Sequence, residues 1–207
     1  MPAQSLSADA FVLLKRPPSD SFQGLVLFSG AHGLLQAQQR LPGKSAVSPA
    51  LDLFDEASLL LESSNQGRTW FVKEAVLIAR HASIGRSYEA LRLACALGAL
   101  IARNTVHEES RLAVVALLRQ ALAAFATGSR PDIAWLKALF VFARDEGYPL
   151  KQQWLPTLPA DDRAVVIGML NRPLADQSAE PGAVAKLTRR LEEYLRGHTE
   201  ILVDPPP

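Results

Sequence analysis

The sequence has one cysteine in 207 residues, Cys95. That excludes intramolecular disulfides and any zinc site built from cysteines, and a reducing, cytoplasmic setting is the expectation. Net charge is nearly absent as well. Lys and Arg number 22 against 21 Asp and Glu, leaving +1, so no global basic field exists and an anionic partner must be met by local clustering. No run approaches the roughly 18 uninterrupted apolar residues of a membrane span. Met1-Pro2-Ala3-Gln4-Ser5 lacks the basic-then-apolar pattern of a signal peptide. A hydrophobic share of 48% excludes wholesale disorder.

Catalytic patterns are missing too. His32, His81, His107 and His198 are dispersed, with no second metal ligand three or four residues away. Neither a Gly-x-Ser-x-Gly elbow nor a phosphate-cradling Gly-x-x-x-x-Gly-Lys-Ser/Thr loop occurs. Glu108-Glu109 and Asp161-Asp162 fall where helices should start, which the helix dipole explains. Cys95 falls on the apolar stripe of an Ala-rich segment, the place of a buried thiol. The expectation is a binding protein and not an enzyme, with no metal or cofactor. A hydrolase assembled from residues distant in sequence is the reading set against it.

What is present divides near residue 80. Before it, β-type runs alternate with turn residues: Ala10–Arg16, Gly24–Ser29, Gly33–Arg40, Leu51–Glu62 and Thr69–Leu77. Five such runs with short turns predict a small barrel or sandwich. A helix over Leu51–Leu61 competes on periodicity. After it the grammar is helical: Ser87–Arg103, Glu108–Ala126, Ile133–Asp145, a shorter helix from Leu158 to Leu170, and Pro181–Arg196. Ile133–Asp145 is apolar on most sides and should run through the centre of an all-α domain. Asp132 is positioned to cap it, and Gly147 to end it. The predicted division is 1–79 and 80–207, an α+β chain with its strands first.

Charge becomes informative once the chain is split. Residues 1–77 carry six basic and seven acidic side chains, a net of −1; residues 78–145 carry nine and five, a net of +4; the remainder nets −2. In the first part the cations fall at strand ends and in the long loop: Lys15, Arg16, Arg40, Lys44, Arg68 and Lys73. There a small barrel would meet a nucleic-acid backbone. Phe22, Phe28, Trp70 and Phe71 are aromatic at strand positions, with Phe22 and Trp70 the candidates for base stacking. The +4 surplus of the helical part is mostly arginine, suited to phosphate or carboxylate forks.

The order of features resembles one known family. Ala10-Phe11-Val12-Leu13-Leu14-Lys15-Arg16-Pro17-Pro18-Ser19-Asp20-Ser21, then Leu25-Val26-Leu27-Phe28-Ser29 and His32-Gly33, is similar to the start of the bacterial DNA repair protein RecO family. Gln39-Arg40-Leu41-Pro42-Gly43-Lys44-Ser45 matches the place of its basic segment, and Leu51-Asp52-Leu53-Phe54 that of its Leu-x-x-Phe strand. Arg68-Thr69-Trp70-Phe71-Val72-Lys73-Glu74-Ala75 resembles its last barrel strand. The stretch Leu136 to Tyr148 is similar to its central helix ending in Gly-Tyr, and Leu191 to His198 to its closing helix. The sequence departs from the family in lacking the four-cysteine zinc module many members carry, in a poorer basic loop, and in ending on Asp204-Pro205-Pro206-Pro207 without a basic tail.

The resemblance implies an N-terminal five-stranded OB-fold barrel followed by an all-helical domain. It implies a cytoplasmic, nucleoid-associated recombination mediator that binds single- and double-stranded DNA and promotes annealing. Such a mediator loads RecA in gap repair with RecR and the single-stranded-DNA-binding protein. Arg130, Lys137 and Arg144, flanking the central helix, are then the expected seat for that protein's acidic tail. A protein–protein adaptor of the same fold that does not touch DNA is the alternative.

Overall fold

Alternation of apolar and polar side chains builds the first part of the chain into strands, and the computed structural model describes residues 4–41, 49–63 and 68–203. The strands are β1 (Gln4–Lys15), β2 (Phe22–Ser29), β3 (Gly33–Arg40), β4 (Glu56–Ser63) and β5 (Trp70–Ala79). The twelve-residue β1 serves two neighbours. It pairs with β4 from Gln4↔Ser63 to Phe11↔Glu56, and with β2 from Ala10↔Ser29 to Lys15↔Leu25. A register shift between Val12 and Leu14 gives it the bend this needs. Parallel pairing of β3 with β5 at Ala37↔Trp70 and Gln38↔Phe71 completes the closed order β1-β2-β3-β5-β4. This is an OB-fold-like barrel, and closure removes the strand edges that would invite aggregation. Its core is Ala10, Val12, Leu25, Leu27, Ala37, Leu51, Ala57, Leu59, Leu61 and Ala75, with Trp70 and Val72 packed against it.

Leu51–Leu61 is not a helix, and its strand starts five residues later than the alternation suggests. Leu51–Asp55 forms a corner in which Phe54 has φ +67°, a left-handed conformation unusual for a residue with a side chain. Hydrogen bonds hold it there. Phe54 N–H donates to Val12 O and Val12 N–H to Asp55 O, both at 2.9 Å. The Asp55 carboxylate, wholly buried, accepts from Asp52 N–H at 2.8 Å and from Arg80 Nε and Nη2 at 2.9 and 2.5 Å. Burial of the His81 side chain lowers its pKa, against the pull of Glu56 and Asp55.

A second compact unit starts at Ala82. Among the described residues it has six α-helices: α1 (Tyr88–Arg103), α2 (Arg111–Thr127), α3 (Pro131–Asp145), α4 (Leu150–Gln153), α5 (Ala160–Asn171) and α6 (Pro181–His198). Ser87 caps α1, its hydroxyl accepting from Ala90 N–H at 3.3 Å. Asp132 does not cap α3. Pro131 takes the first helical position, and the Asp132 carboxylate turns back to Arg130. Gly147, at φ +93°, ends α3: its N–H returns to Arg144 O and that of Tyr148 to Ala143 O, both at 3.0 Å. Gly128, at φ +68°, ends α2 with its N–H on Phe125 O. The central α3 buries Ile133, Trp135, Leu136, Leu139, Phe140 and Phe142 and packs against the other five helices. By length and composition, Glu108–Thr127 is apolar enough to cross a membrane, but Val114, Leu117, Leu118, Leu122 and Phe125 of this stretch are buried in the protein.

Candidate nucleic-acid interface

β3 alternates faces, so inward Leu35 and Ala37 leave Gln36, Gln38 and Arg40 outward. Register then decides their neighbours. Arg40 stands opposite Phe22 and Gln38 opposite Gly24 on β2, while Phe71 of β5 lies beside Gln38. Phe22 and Phe71 meet edge to face, ring centres 5.6 Å apart. Trp70, one residue away, points the other way and joins the core. Of the two proposed stacking aromatics, only Phe22 is on this outer face, and Phe71 accompanies it.

Two loops bring cations to the same face. Arg16 follows β1; its Nη2 donates to Gln36 Oε1 at 2.7 Å, and its backbone N–H to Gly24 O at 2.9 Å. Arg68 precedes β5. With Gly24, Leu25, Gln36, Ala37, Gln38 and Thr69, the two arginines line a cavity of about 270 Å³. No carboxylate is among its lining residues. The other cations fare differently. Lys15 is paired with Asp52 at 3.0 Å and Lys73 with Glu62 at 2.9 Å. Lys15, the Leu53 N–H and Arg80 hold the Asp52 carboxyl below its ordinary pKa even though partial burial pushes it up. Arg40 is exposed, and Lys44 lies outside the described residues.

Both ends of the loop after β3 are fixed. Leu41 N–H donates to Ser21 O at 2.9 Å. The buried Gln39 side chain donates through Nε2 to Pro49 O at 2.9 Å and accepts through Oε1 from Leu51 N–H at 3.0 Å.

In the helical unit, the three expected docking cations already have internal partners. Arg130 donates to both Asp132 carboxylate oxygens and, at 2.7 Å, to Ala179 O. Lys137 donates to Arg172 O at 2.8 Å, and burial lowers its pKa. Arg144 is paired with Asp145 at 2.6 Å. A different arginine set surrounds a groove between α1, α3 and α6. Its volume is about 460 Å³, and its lining joins the apolar Leu93, Trp135 and Val184 with Arg92, Arg189 and Arg196 and with the carboxylates of Glu89, Asp132, Glu192 and Glu193. Glu192 lies within it, 5% exposed, accepting from Trp135 Nε1 at 3.3 Å. Burial raises the pKa of this carboxyl, opposed by the indole hydrogen bond and by Arg196, Arg189 and Arg92.

Sequence reading missed Gln36 and Gln38, although their alternation in β3 was visible. It also missed the placing of Arg92 with Arg189 and Arg196 around one groove, which only the packing of α1 and α6 on α3 creates. Cys95 is half-buried and not fully buried as its place on the apolar stripe suggested, and burial raises its thiol pKa. Among the described residues no group of three or more His, Cys, Asp or Glu side chains is arranged to hold a metal ion. No protein-family model and no curated protein matches the chain.

Proposed function

We propose that this chain is a non-enzymatic DNA-binding mediator of recombination, of the kind the RecO resemblance implies. It would promote annealing and RecA loading in gap repair, together with RecR and the single-stranded-DNA-binding protein. The observation that carries this reading is the outer β2–β3–β5 face. Arg16, Arg68 and Arg40 supply charge, Gln36 and Gln38 supply amides, and Phe22 and Phe71 supply aromatic surface, on a barrel of the type that binds single strands. The bases stack or lie along the strand while the arginines take phosphates.

The acidic tail of the single-strand binder fits the α1–α3–α6 groove better than it fits Arg130, Lys137 and Arg144. Those three are spent on Asp132, Ala179, Arg172 and Asp145, whereas among the described residues Arg92, Arg189 and Arg196 are held in no ion pair. Its apolar side chains offer a seat for the apolar last residues of such a peptide, and its three arginines offer partners for the acidic residues before them, in competition with the four carboxylates of the same lining.

Fluorescence anisotropy with a labelled single-stranded oligonucleotide at two salt concentrations tests the central reading. Binding should weaken with salt by roughly 0.7 log units per log unit of salt for each phosphate neutralised. Arg16→Ala with Arg68→Ala should reduce that slope by about one to two phosphates. The adaptor reading is favoured by the ion pairs that occupy Lys15 and Lys73. Absence of binding even at low salt would establish it instead.

A further inference from the structure

The Arg16–Arg68 cavity has a composition that ordinary backbone tracking does not require. Arg16 and Arg68 both line one small space whose lining holds no carboxylate. Gln36 gives its carbonyl oxygen to Arg16, which leaves the hydrogens of its amide nitrogen as the part of the side chain to offer a ligand. The Gln38 amide nitrogen borders Gly24 from the opposite strand. The cavity is therefore rich in donors and carries two positive charges.

Glycine at position 24 makes this space. A Cβ there would lie 3.2 Å from Arg16 Cβ, 3.5 Å from Arg16 Cδ and 3.6 Å from Gln38 Nε2. Any larger side chain displaces the Arg16 stem and fills the floor. The Arg16 backbone is itself pinned, its N–H to Gly24 O and its carbonyl by the Gln23 amide, which also donates to Gly24 O. With the backbone pinned and Nη2 on Gln36 Oε1, the Arg16 guanidinium is held near the cavity before any ligand arrives, which lowers the ordering cost of binding.

We propose that this cavity is a subsite for a terminal phosphate, a phosphomonoester at the end of a nucleic-acid strand. An internal phosphodiester brings one negative charge, while a phosphomonoester brings close to two near neutral pH, with three strong acceptor oxygens. Two arginines and two amides around one space match the second better than the first. At about 270 Å³ the space is smaller than most small-molecule sites, and it has room for one nucleotide and not for a run of them. The proposal rests on the reading that the barrel binds nucleic acid.

Three oligonucleotides of one sequence, internally labelled, provide the test: one 5′-phosphorylated, one 3′-phosphorylated and one with hydroxyls at both ends. Titrated with the full chain, one phosphorylated form should bind about fivefold more tightly than the hydroxyl-ended one, the upper range for an exposed charge pair. Which form it is assigns the strand polarity. Gly24→Val should bring that ratio to about one. Arg68→Gln should do the same, and its exposed position keeps it informative if the glycine variant does not fold. Equal affinity for all three oligonucleotides in the unaltered protein would overturn the subsite while leaving DNA binding intact. So would a ratio that survives Arg68→Gln. Thymidine 5′-monophosphate binding as tightly as the phosphorylated strand would assign the cavity to free nucleotides and overturn the strand-end reading. Failure of every oligonucleotide to bind would overturn the barrel's proposed function and the subsite with it.

Discussion

Glu192 sits with Arg92, Arg189 and Arg196 around it and one 3.3 Å hydrogen bond from Trp135. Burial outweighs those attractions and raises its pKa. A carboxyl that holds its proton more tightly when folded than when unfolded gives a stability that falls as pH rises from the ordinary glutamate range through the raised value. Glu192→Gln, which keeps the shape and removes the charge, should therefore raise the thermal midpoint at pH 7. The gain should vanish below the ordinary carboxylate range, where both proteins are neutral at this position. Melting curves across that interval check it, and an equal gain at every pH would disprove the assignment. None of this was visible in Leu191-Glu192-Glu193-Tyr194. Two adjacent acids on one amphipathic helix look alike in sequence, and only the packing of α6 on α3 buries the first and exposes the second. Arg16 and Arg68 were legible as cations at strand ends. That they share one cavity was not, because Arg68 reaches Arg16 through the parallel β3–β5 pairing, which no local pattern encodes.

At the scale of elements, periodicity served well where the chain alternates or repeats without interruption. All five strands and the five long helices exist where expected, most with ends within two or three residues, but β1 begins six residues before its expected start and β4 five residues after. The larger misses have local physical causes. β4 starts late because Asp55, tied to Arg80, pulls Leu51–Asp55 into a corner. The reading of Asp132 as a cap failed because Pro131 already supplies the helix start. Leu150–Gln153 is a single turn too short to show a period. Two helices, α2 and α3, end at glycines. Gly128 has φ +68° and open space where a Cβ would point, so its requirement is conformational and not steric. Gly128→Ala should cost about 1 kcal/mol, read from urea denaturation, with an unchanged m-value showing that the fold is retained.

For the whole molecule, the first unit presents the arginines and amides proposed to meet polyanion, and the second the groove proposed to take an acidic peptide, where three arginines stand among apolar side chains and four carboxylates. The residues of the two do not overlap, so the two proposed activities should separate. Arg92→Ala with Arg189→Ala and Arg196→Ala should weaken binding of a synthetic peptide, three aspartates followed by Leu-Phe with a free carboxylate, by tenfold or more, while leaving oligonucleotide affinity within about twofold. Arg16→Ala with Arg68→Ala should do the reverse. Arg130→Ala, Lys137→Ala and Arg144→Ala together should change peptide affinity far less than the groove triple. Titration calorimetry for the peptide and anisotropy for the oligonucleotide measure the four combinations.

Gln39 carries a consequence for how such a barrel can vary. By bonding Pro49 and Leu51 with one buried amide, it staples together the two stems of the segment that contains Lys44. The stems are thereby insulated from whatever lies between them. Changes of composition or length between the stems should therefore leave the thermal midpoint close to that of the unaltered protein. The proposed binding of polyanion would then be adjustable through this segment independently of foldability.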